Sequence, residues 1–259
     1  MVLTDKLKNI FKIDIPIIGM IHLAGHSSDD KYSRALEEVE IYREEGVDGI
    51  IVENYHGLPR DVIETLKLLR HIESSVVGVN ILPNDYGRAF AYCMFFGAKF
   101  IQLDYIAGTY YRETINKDGR YFYTIGDGEA YTDDRKDNSK VIVLGGVHTK
   151  YYTPLEGSNL EADLKSGMER CDAIVVTGEG TGKETPMDKI IEFRKLVGDF
   201  PLIVGAGLTP KNVYEQLMIA DGGIVGSYFK AYNNTENPVN RNKVREFMNI
   251  VKEIRKEKN

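Results

Sequence analysis

The sequence predicts a single (β/α)8 TIM barrel that spans residues 1–259. The chain has 259 residues, close to the usual size of about 250 residues for this fold. Eight short apolar runs alternate with amphipathic helical patterns. The seventh and eighth runs end in glycine, at the positions where such barrels commonly hold a phosphate. An open doubly wound sheet also fits the alternation, but the length and the glycine positions favour the closed barrel.

The predicted strands are mostly continuous stretches of Val, Ile and Leu, as expected for parallel strands covered on both faces. They are Ile15–His22, Gly49–Glu53, Val76–Ile81, Lys99–Asp104, Val141–Val147, Ala173–Thr177, Leu202–Gly205 and Gly223–Gly226.

The predicted helices begin near proline or end near glycine, residues that suit a first helical turn and a left-handed cap respectively. They are Ser33–Glu45, Pro59–Glu73, Asp85–Phe96, Leu160–Arg170, Met187–Val197, Lys211–Ile219 and Asn240–Lys256, with a weaker pattern over Glu129–Asp137.

One connection breaks the rhythm. Residues 105–140, between the fourth and fifth strands, form a long stretch rich in Tyr, Asp, Gly and Arg. Long irregular loops in compact domains are usually functional or disordered. We expect this segment to be irregular, and its aromatic residues fit a lid over the barrel mouth or an oligomer contact equally well.

The composition limits the partners. A net charge of −6 argues against nucleic-acid binding, which needs a broad basic face.

Cys93 and Cys171 show no CxxC spacing and are interpreted as buried free thiols. The segment Met1–Phe11 has no apolar signal-peptide core, and no run approaches the roughly 18 apolar residues of a membrane span. We therefore expect a cytoplasmic protein without membrane insertion, and a homo-oligomer stays open.

The strongest motif lies near the C-terminus, where two strands end in glycine. The residues concerned are Gly205, Ala206 and Gly207 after the seventh strand, and Gly226 with Ser227 after the eighth. Glycine lets the backbone approach an anion closely, and a following helix start presents free N–H groups. This pattern predicts a site for a phosphorylated small molecule.

The segment from Thr177 to Glu184 resembles a phosphate-binding P-loop but lacks its first glycine, and Glu184 replaces the Ser or Thr that would hold Mg²⁺. We therefore reject ATP binding here. Thr177 and Gly178 are instead expected to contact the substrate, in a glycine loop that closes over the ligand.

Polar side chains at the ends of several strands form a second group. In a barrel, these ends converge on one mouth, where catalytic residues generally lie. The candidate catalytic residues are His22, Glu53, Asp104, His148 and Lys150, with Asn80 as a candidate substrate ligand.

Glu53 and Asp104 are expected to face each other across the mouth. Two carboxylates in one partly dry cleft do not both ionise readily, so either one pKa rises or a cation neutralises the pair. No cofactor is evident. Acid–base use is slightly favoured over a divalent metal because no tight ligand spacing such as HExxH occurs.

Segments along nearly the whole chain resemble the BtpA/SgcQ family. They include Ile18–Leu23, Gly46–Asn54, Gly78–Asp85, Gly97–Ile101 and Asp221–Ser227 with Lys230. The resemblance implies a phosphate-binding barrel of the ribulose-phosphate-binding type. The family namesake is associated with stabilising photosystem I, and the chain departs from the family pattern at Gln102, where an arginine is common.

Two functions follow as hypotheses. The first is an enzyme acting on a small phosphorylated sugar or nucleotide-like metabolite, with lyase, isomerase or hydrolase chemistry left open. The alternative is a non-catalytic assembly or stability factor, as the resemblance to the namesake implies. A pure scaffold has no need of His, Glu and Asp at several strand ends, so the enzyme is favoured.

Overall fold

The computed structural model of the protein describes residues 5–70, 76–113, 120–124 and 129–258. Within these residues, eight parallel strands close into a barrel, as the sequence predicts. In chain order they are β1 (Ile17–Ile21), β2 (Gly49–Glu53), β3 (Val76–Asn80), β4 (Phe100–Leu103), β7 (Ile142–Gly146), β9 (Ala173–Val176), β10 (Leu202–Val204) and β11 (Gly222–Val225).

Most helices cover the outside of the barrel between successive strands, whereas the first helix precedes β1 and the last follows β11. They are α1 (Asp5–Phe11), α2 (Ser28–Glu44), α3 (Pro59–Leu69), α4 (Tyr86–Phe96), α5 (Glu129–Asp137), α6 (Leu160–Arg170), α7 (Met187–Val197), α8 (Val213–Ile219) and α9 (Arg241–Lys258).

Most predicted bounds agree within a few residues, and local capping explains the differences. Helix α2 begins at Ser28 rather than Ser33 because the Ser27 side chain accepts a hydrogen bond from the amide of Asp30, a standard N-cap. Strand β1 begins at Ile17 rather than Ile15 because Ile15 has a positive φ of 59°. The predicted end of α3 at Glu73 lies outside the described residues.

The expectation of an irregular connection over residues 105–140 is wrong. Strands β5 (Thr109–Glu113) and β6 (Arg120–Thr124) form an antiparallel pair, and β8 (Thr153–Pro154) adds to β5 on its other side. Helix α5 follows within the same connection. The Arg112 guanidinium lies 5.5 Å from the centre of the Tyr151 ring, so the hairpin packs beside the mouth. That it acts as a lid stays a prediction.

The barrel interior is filled by its own apolar side chains, and α1 closes the end opposite the mouth. Leu7 and Phe11 of α1 belong to the same buried cluster as Ile18, Ile51 and Phe100. A Cβ on Gly78 would lie 2.3 Å from the Phe100 ring, so glycine at this position makes room for the aromatic side chain. The interior is a packed core below the mouth rather than a pore.

Candidate active site

An inward-facing layer of polar residues and glycines follows the apolar interior at the carboxyl ends of the strands. Side chains alternate between the two faces of a strand, so the second residue after each interior side chain again points into the barrel. The residues two positions after the interior residues are His22, Glu53, Asn80, Gln102, Gly146, Thr177, Gly205 and Gly226.

A pocket opens at this layer, with polar side chains on one part of its wall and glycine-rich backbone on the other. The polar part contains His22, Glu53, Tyr55, Gln102 and Lys150, and the glycine-rich part contains Thr181, Gly182, Gly205, Ala206, Gly207, Gly226 and Ser227. The structure therefore brings together both glycine segments and three of the five predicted catalytic residues.

Glu53 is buried at the pocket wall, with 6% of its surface exposed. The Asn80 side-chain amide donates a hydrogen bond of 2.8 Å to Glu53 Oε1. Burial raises the pKa of Glu53 to about 8, against the attraction of the Lys150 ammonium, and the charge of Asp104 adds to the rise. At neutral pH this carboxyl is therefore mostly protonated and can donate a proton to a bound molecule.

His22 lies beside Glu53, with Nε2 at 4.0 Å from Glu53 Oε2. Burial, followed by the charges of Lys230 and Lys150, lowers the pKa of His22 well below its ordinary value. The imidazole is therefore neutral at physiological pH. Within the described part of the chain, its buried Nδ1 has no hydrogen-bond partner, so this ring keeps hydrogen-bonding capacity.

Asp104 lies next to Glu53 rather than across the mouth from it, which corrects the expected arrangement. Strands β2 and β4 both neighbour β3, and the Asn80 amide of β3 lies 3.5 Å from Asp104 Oδ1 as well as 2.8 Å from Glu53. Burial raises the pKa of Asp104, although Lys150 lowers it. The two carboxyl groups thus share one amide donor, and Asp104 lies beside a smaller cavity beyond the main pocket.

The glycines of the pocket wall are required by close backbone packing. Gly207 has a φ of 67°, and a Cβ there would lie 2.2 Å from the Lys183 carbonyl oxygen. Gly182 has a φ of 74°, and its Cβ would lie 2.8 Å from Ser227 Oγ. The positive φ and the lack of space for a Cβ both favour glycine at these two positions. The loops after β9, β10 and β11 therefore meet at the pocket through their backbones.

Thr181 connects this glycine loop to the opposite wall. Its Oγ1 accepts hydrogen bonds from Lys150 Nζ at 3.2 Å and from the Tyr55 hydroxyl at 3.4 Å. Its backbone N–H donates to the Tyr151 hydroxyl at 2.8 Å. Burial raises the pKa of the Tyr151 hydroxyl, but its hydrogen bonds with Thr181 and Tyr55 lower that pKa by a larger amount. The pKa of Tyr151 therefore lies below its ordinary value.

His148 does not reach the pocket, contrary to its expected catalytic role. Its backbone has a φ of 47°, and its Nε2 lies 2.8 Å from Asp163 Oδ2 of α6. The ring also packs edge-on against Tyr110. These contacts hold the side chain against the outer helix, so we remove His148 from the candidate catalytic set.

Three predicted substrate ligands lie beside the pocket wall rather than in it. Asn80 holds Glu53, and Thr177 Oγ1 accepts a hydrogen bond of 2.8 Å from the backbone N–H of Lys150. Gly178 packs on backbone, since a Cβ there would lie 2.5 Å from the Glu184 carbonyl oxygen. Asn80 and Thr177 thus position Glu53 and Lys150, which line the pocket, whereas glycine at 178 is required by backbone packing.

The sequence did not single out Tyr55, Gln102, Thr181 or Gly182 as individual site residues, although all four line the pocket. The period of two along β4 indicates an inward Gln102, since Phe100 is interior. Thr181 and Gly182 lie in the segment that was rejected as a P-loop but expected to be a glycine loop that closes over the ligand. No sequence signal marks Tyr55, which follows β2 in a loop.

Within the described ranges, no group of three or more His, Cys, Asp or Glu side chains is arranged to hold a metal ion. No described helix is both long and apolar enough to cross a membrane.

A family model for the BtpA family matches residues 13–253. The chain belongs to the BtpA family. The family predicted from the sequence segments is thereby confirmed.

Relatives match over most of their length. An uncharacterised protein of Pyrococcus furiosus is 30% identical, over 86% of this chain and 90% of the relative. The photosystem I biogenesis protein BtpA of Synechocystis is 26% identical, over 96% of this chain and 92% of the relative. Phosphoribosyl anthranilate isomerase from Thermus thermophilus shares the fold with a TM-score of 0.59 and 12% identity, covering 93% of this chain and all of that one (100%).

Proposed function

We propose that this BtpA-family protein is an enzyme that transfers a proton on a small phosphorylated sugar or nucleotide-like metabolite. The observation that carries the proposal is the burial of Glu53, which raises its pKa to about 8, in the wall of a pocket whose other wall is glycine-rich backbone. An acid with a pKa near the operating pH is suited to general acid–base catalysis. Glu53 is the proposed acid, and the neutral His22 beside it, whose Nδ1 has no partner among the described residues, is the proposed base that accepts the proton from the substrate carbon.

The glycine segments are the proposed phosphate site. Gly205, Ala206 and Gly207 meet Gly226 and Ser227 at the pocket, and glycine allows an anion to approach the backbone N–H groups. The ammonium of Lys150 lines the same pocket and offers a charge for the phosphate or for a reacting oxygen. The name of the fold relative from Thermus thermophilus, which states a phosphoribosyl compound, supports this substrate class.

Deuterium uptake tests the proposal without knowledge of the reaction product. A panel of sugar phosphates and their unphosphorylated counterparts is incubated with the protein in D₂O and followed by NMR. We expect at least one phosphorylated compound to exchange a carbon-bound proton, with inhibition by inorganic phosphate. Exchange by none of them, or equal exchange by the unphosphorylated compounds, would contradict the proposal.

The alternative, a non-catalytic assembly factor, is supported by the name of the Synechocystis relative. It predicts that no compound exchanges a carbon-bound proton for deuterium and that pocket variants leave the cellular role intact. The enzyme hypothesis predicts that the unchanged protein catalyses this exchange and that variants of Glu53 lose both the exchange and the cellular role. The deuterium assay therefore separates the two functions.

Replacing Gly226 with valine is expected to weaken sugar phosphate binding roughly 10- to 100-fold. A Cβ at this position already lies 3.1 Å from His22 Cε1, so the valine methyl groups occupy the pocket beside Ser227. Loss of a hydrogen bond to a charged group costs about 1.5–3 kcal/mol. Calorimetric titration with the most reactive sugar phosphate measures the change.

Gly87→Ala is the matched control, because the added Cβ at that exposed α4 position meets only Asp134 Oδ2, at 3.5 Å. Thermal unfolding verifies that Gly226→Val is folded, and the smaller Gly226→Ala replaces it otherwise. Unchanged affinity in a folded Gly226 variant would rule out the phosphate site.

A further inference from the structure

The side chain of Lys150 lines the pocket, and two other lysines near the barrel mouth, Lys189 and Lys230, differ from it in their contacts. Lys189 Nζ donates to the carbonyl oxygens of His148 and Thr177 at 2.7 and 2.8 Å. Lys230 Nζ lies 2.6 Å from Glu38 Oε2 in a buried ion pair. Both of these amino groups are held by structural partners.

The Lys150 amino group has a neutral partner instead. Its Nζ donates to Thr181 Oγ1 at 3.2 Å and lies 5.9 Å from the centre of the Tyr151 ring. Within the described part of the chain, no carboxylate oxygen lies within 4.0 Å of it. Because no described carboxylate pairs with it at this distance, the amino group can contact a ligand in the pocket.

Acid–base groups surround the same amine. Glu53, protonated at neutral pH, lines the pocket with Lys150. Asp104 borders the smaller cavity that Lys150 also lines. A nucleophilic amine needs a group that accepts its proton and a group that protonates the departing oxygen. Both types of group lie near Lys150.

We propose that Lys150 forms a Schiff base with the carbonyl carbon of a phosphorylated aldehyde or ketone. This inference rests on the proposed function and names the carbonyl as the reacting group. The ammonium loses a proton to Asp104, and the free electron pair of Nζ attacks the carbonyl carbon to give a carbinolamine. Glu53 then protonates the hydroxyl, which leaves as water while the Nζ–C double bond forms. Transfer of the proton from Asp104 to Glu53 restores both groups, so one ammonium and one carbonyl yield one iminium ion and one water.

Reductive trapping tests the inference. The protein is incubated with dihydroxyacetone phosphate, glyceraldehyde 3-phosphate or ribulose 5-phosphate, with and without sodium borohydride. Intact mass and peptide mapping then locate the adduct. We expect at least one probe to give a borohydride-dependent secondary amine on Lys150, with protection by inorganic phosphate.

Two variants control the experiment. Lys150→Arg keeps the positive charge but cannot form a Schiff base, and it should give no specific adduct. Lys183→Arg should label as the unchanged protein does, because Lys183 is an exposed lysine of the neighbouring loop, paired with Glu179. Absence of a Lys150 adduct with all three probes, or equal labelling of Lys183, would overturn the inference.

The outcome is separable from that of the proposed function. If Lys150→Arg still exchanges deuterium on a sugar phosphate and the unchanged protein gives no Lys150 adduct, proton transfer stands and the Schiff base is wrong. If Lys150→Arg loses phosphate affinity and the unchanged protein gives no adduct, Lys150 is a phosphate ligand, which also overturns the Schiff base. If neither deuterium exchange nor an adduct occurs, both proposals fail.

Discussion

Replacing Glu53 with glutamine is expected to slow deuterium exchange on the most reactive sugar phosphate by about 10²- to 10⁴-fold, the range typical of a lost general acid or base. Glutamine keeps the size of the side chain, and its Oε1 still accepts the 2.8 Å hydrogen bond from Asn80. What it lacks is the transferable proton. The loss should therefore appear in the rate of exchange, with little change in sugar phosphate affinity.

Glu64→Gln is the matched control, because Glu64 is a half-exposed α3 residue paired with Lys67, away from the pocket. It should exchange at the rate of the unchanged protein. A Glu53→Gln variant with nearly full exchange would contradict the assignment of Glu53 as the acid. Equal losses in the two variants would contradict it as well.

Replacing Lys230 with methionine is expected to lower the free energy of unfolding by about 3–5 kcal/mol, the usual cost of leaving a buried charge unpaired. Lys230 and Glu38 are 1% and 3% exposed and form a 2.6 Å ion pair between the C-terminal region and α2. Glu38 Oε1 also accepts a hydrogen bond of 3.2 Å from the Val239 amide. Urea unfolding measures the change.

Two further variants test whether the buried ion pair causes this loss. Lys230→Met combined with Glu38→Gln should recover most of the stability, because the neutral amide still accepts from Val239 and leaves no buried charge. Arg43→Met removes an exposed ion pair with Glu40 on the same helix and should cost less than about 1 kcal/mol. Similar losses in Arg43→Met and Lys230→Met would contradict a special role for burial.

The sequence predicts the barrel well because its strands and helices follow simple periodic patterns. The bounds of β2 (Gly49–Glu53) and α6 (Leu160–Arg170) agree with the prediction at both ends. Helix α1 was missed because it has only seven residues and depends on tertiary contacts of Leu7 and Phe11 with the barrel interior. The hairpin of β5 and β6 was missed although Asp118 and Gly119, a pair common in hairpin turns, lie between its strands in the sequence. Six residues separate the two strands, more than the two to five of most hairpin loops, so the pair did not stand out.

The sequence predicts the candidate site only in part, because the fold places the strand ends but not the side chains of the loops. Barrel topology determines that His22, Glu53 and the glycine segments meet at one end. It does not determine the rotation of side chains in the loops beyond the strands. His148, with its positive φ, turns outwards to Asp163, whereas Lys150, two residues later, lines the pocket. The link between Glu53 and Asp104 through Asn80 depends on strand neighbours and register, which single-sequence patterns do not reveal.

The protonation state of Glu53 is the central claim, and its carboxyl titration tests that claim most directly. Protein labelled with ¹³C at the glutamate side-chain carboxyl is titrated by NMR, and Glu53→Gln identifies the signal. We predict a midpoint near the value of about 8 that burial produces, far above that of an exposed glutamate. A midpoint near the unperturbed value of about 4.3 would contradict the proposed general acid.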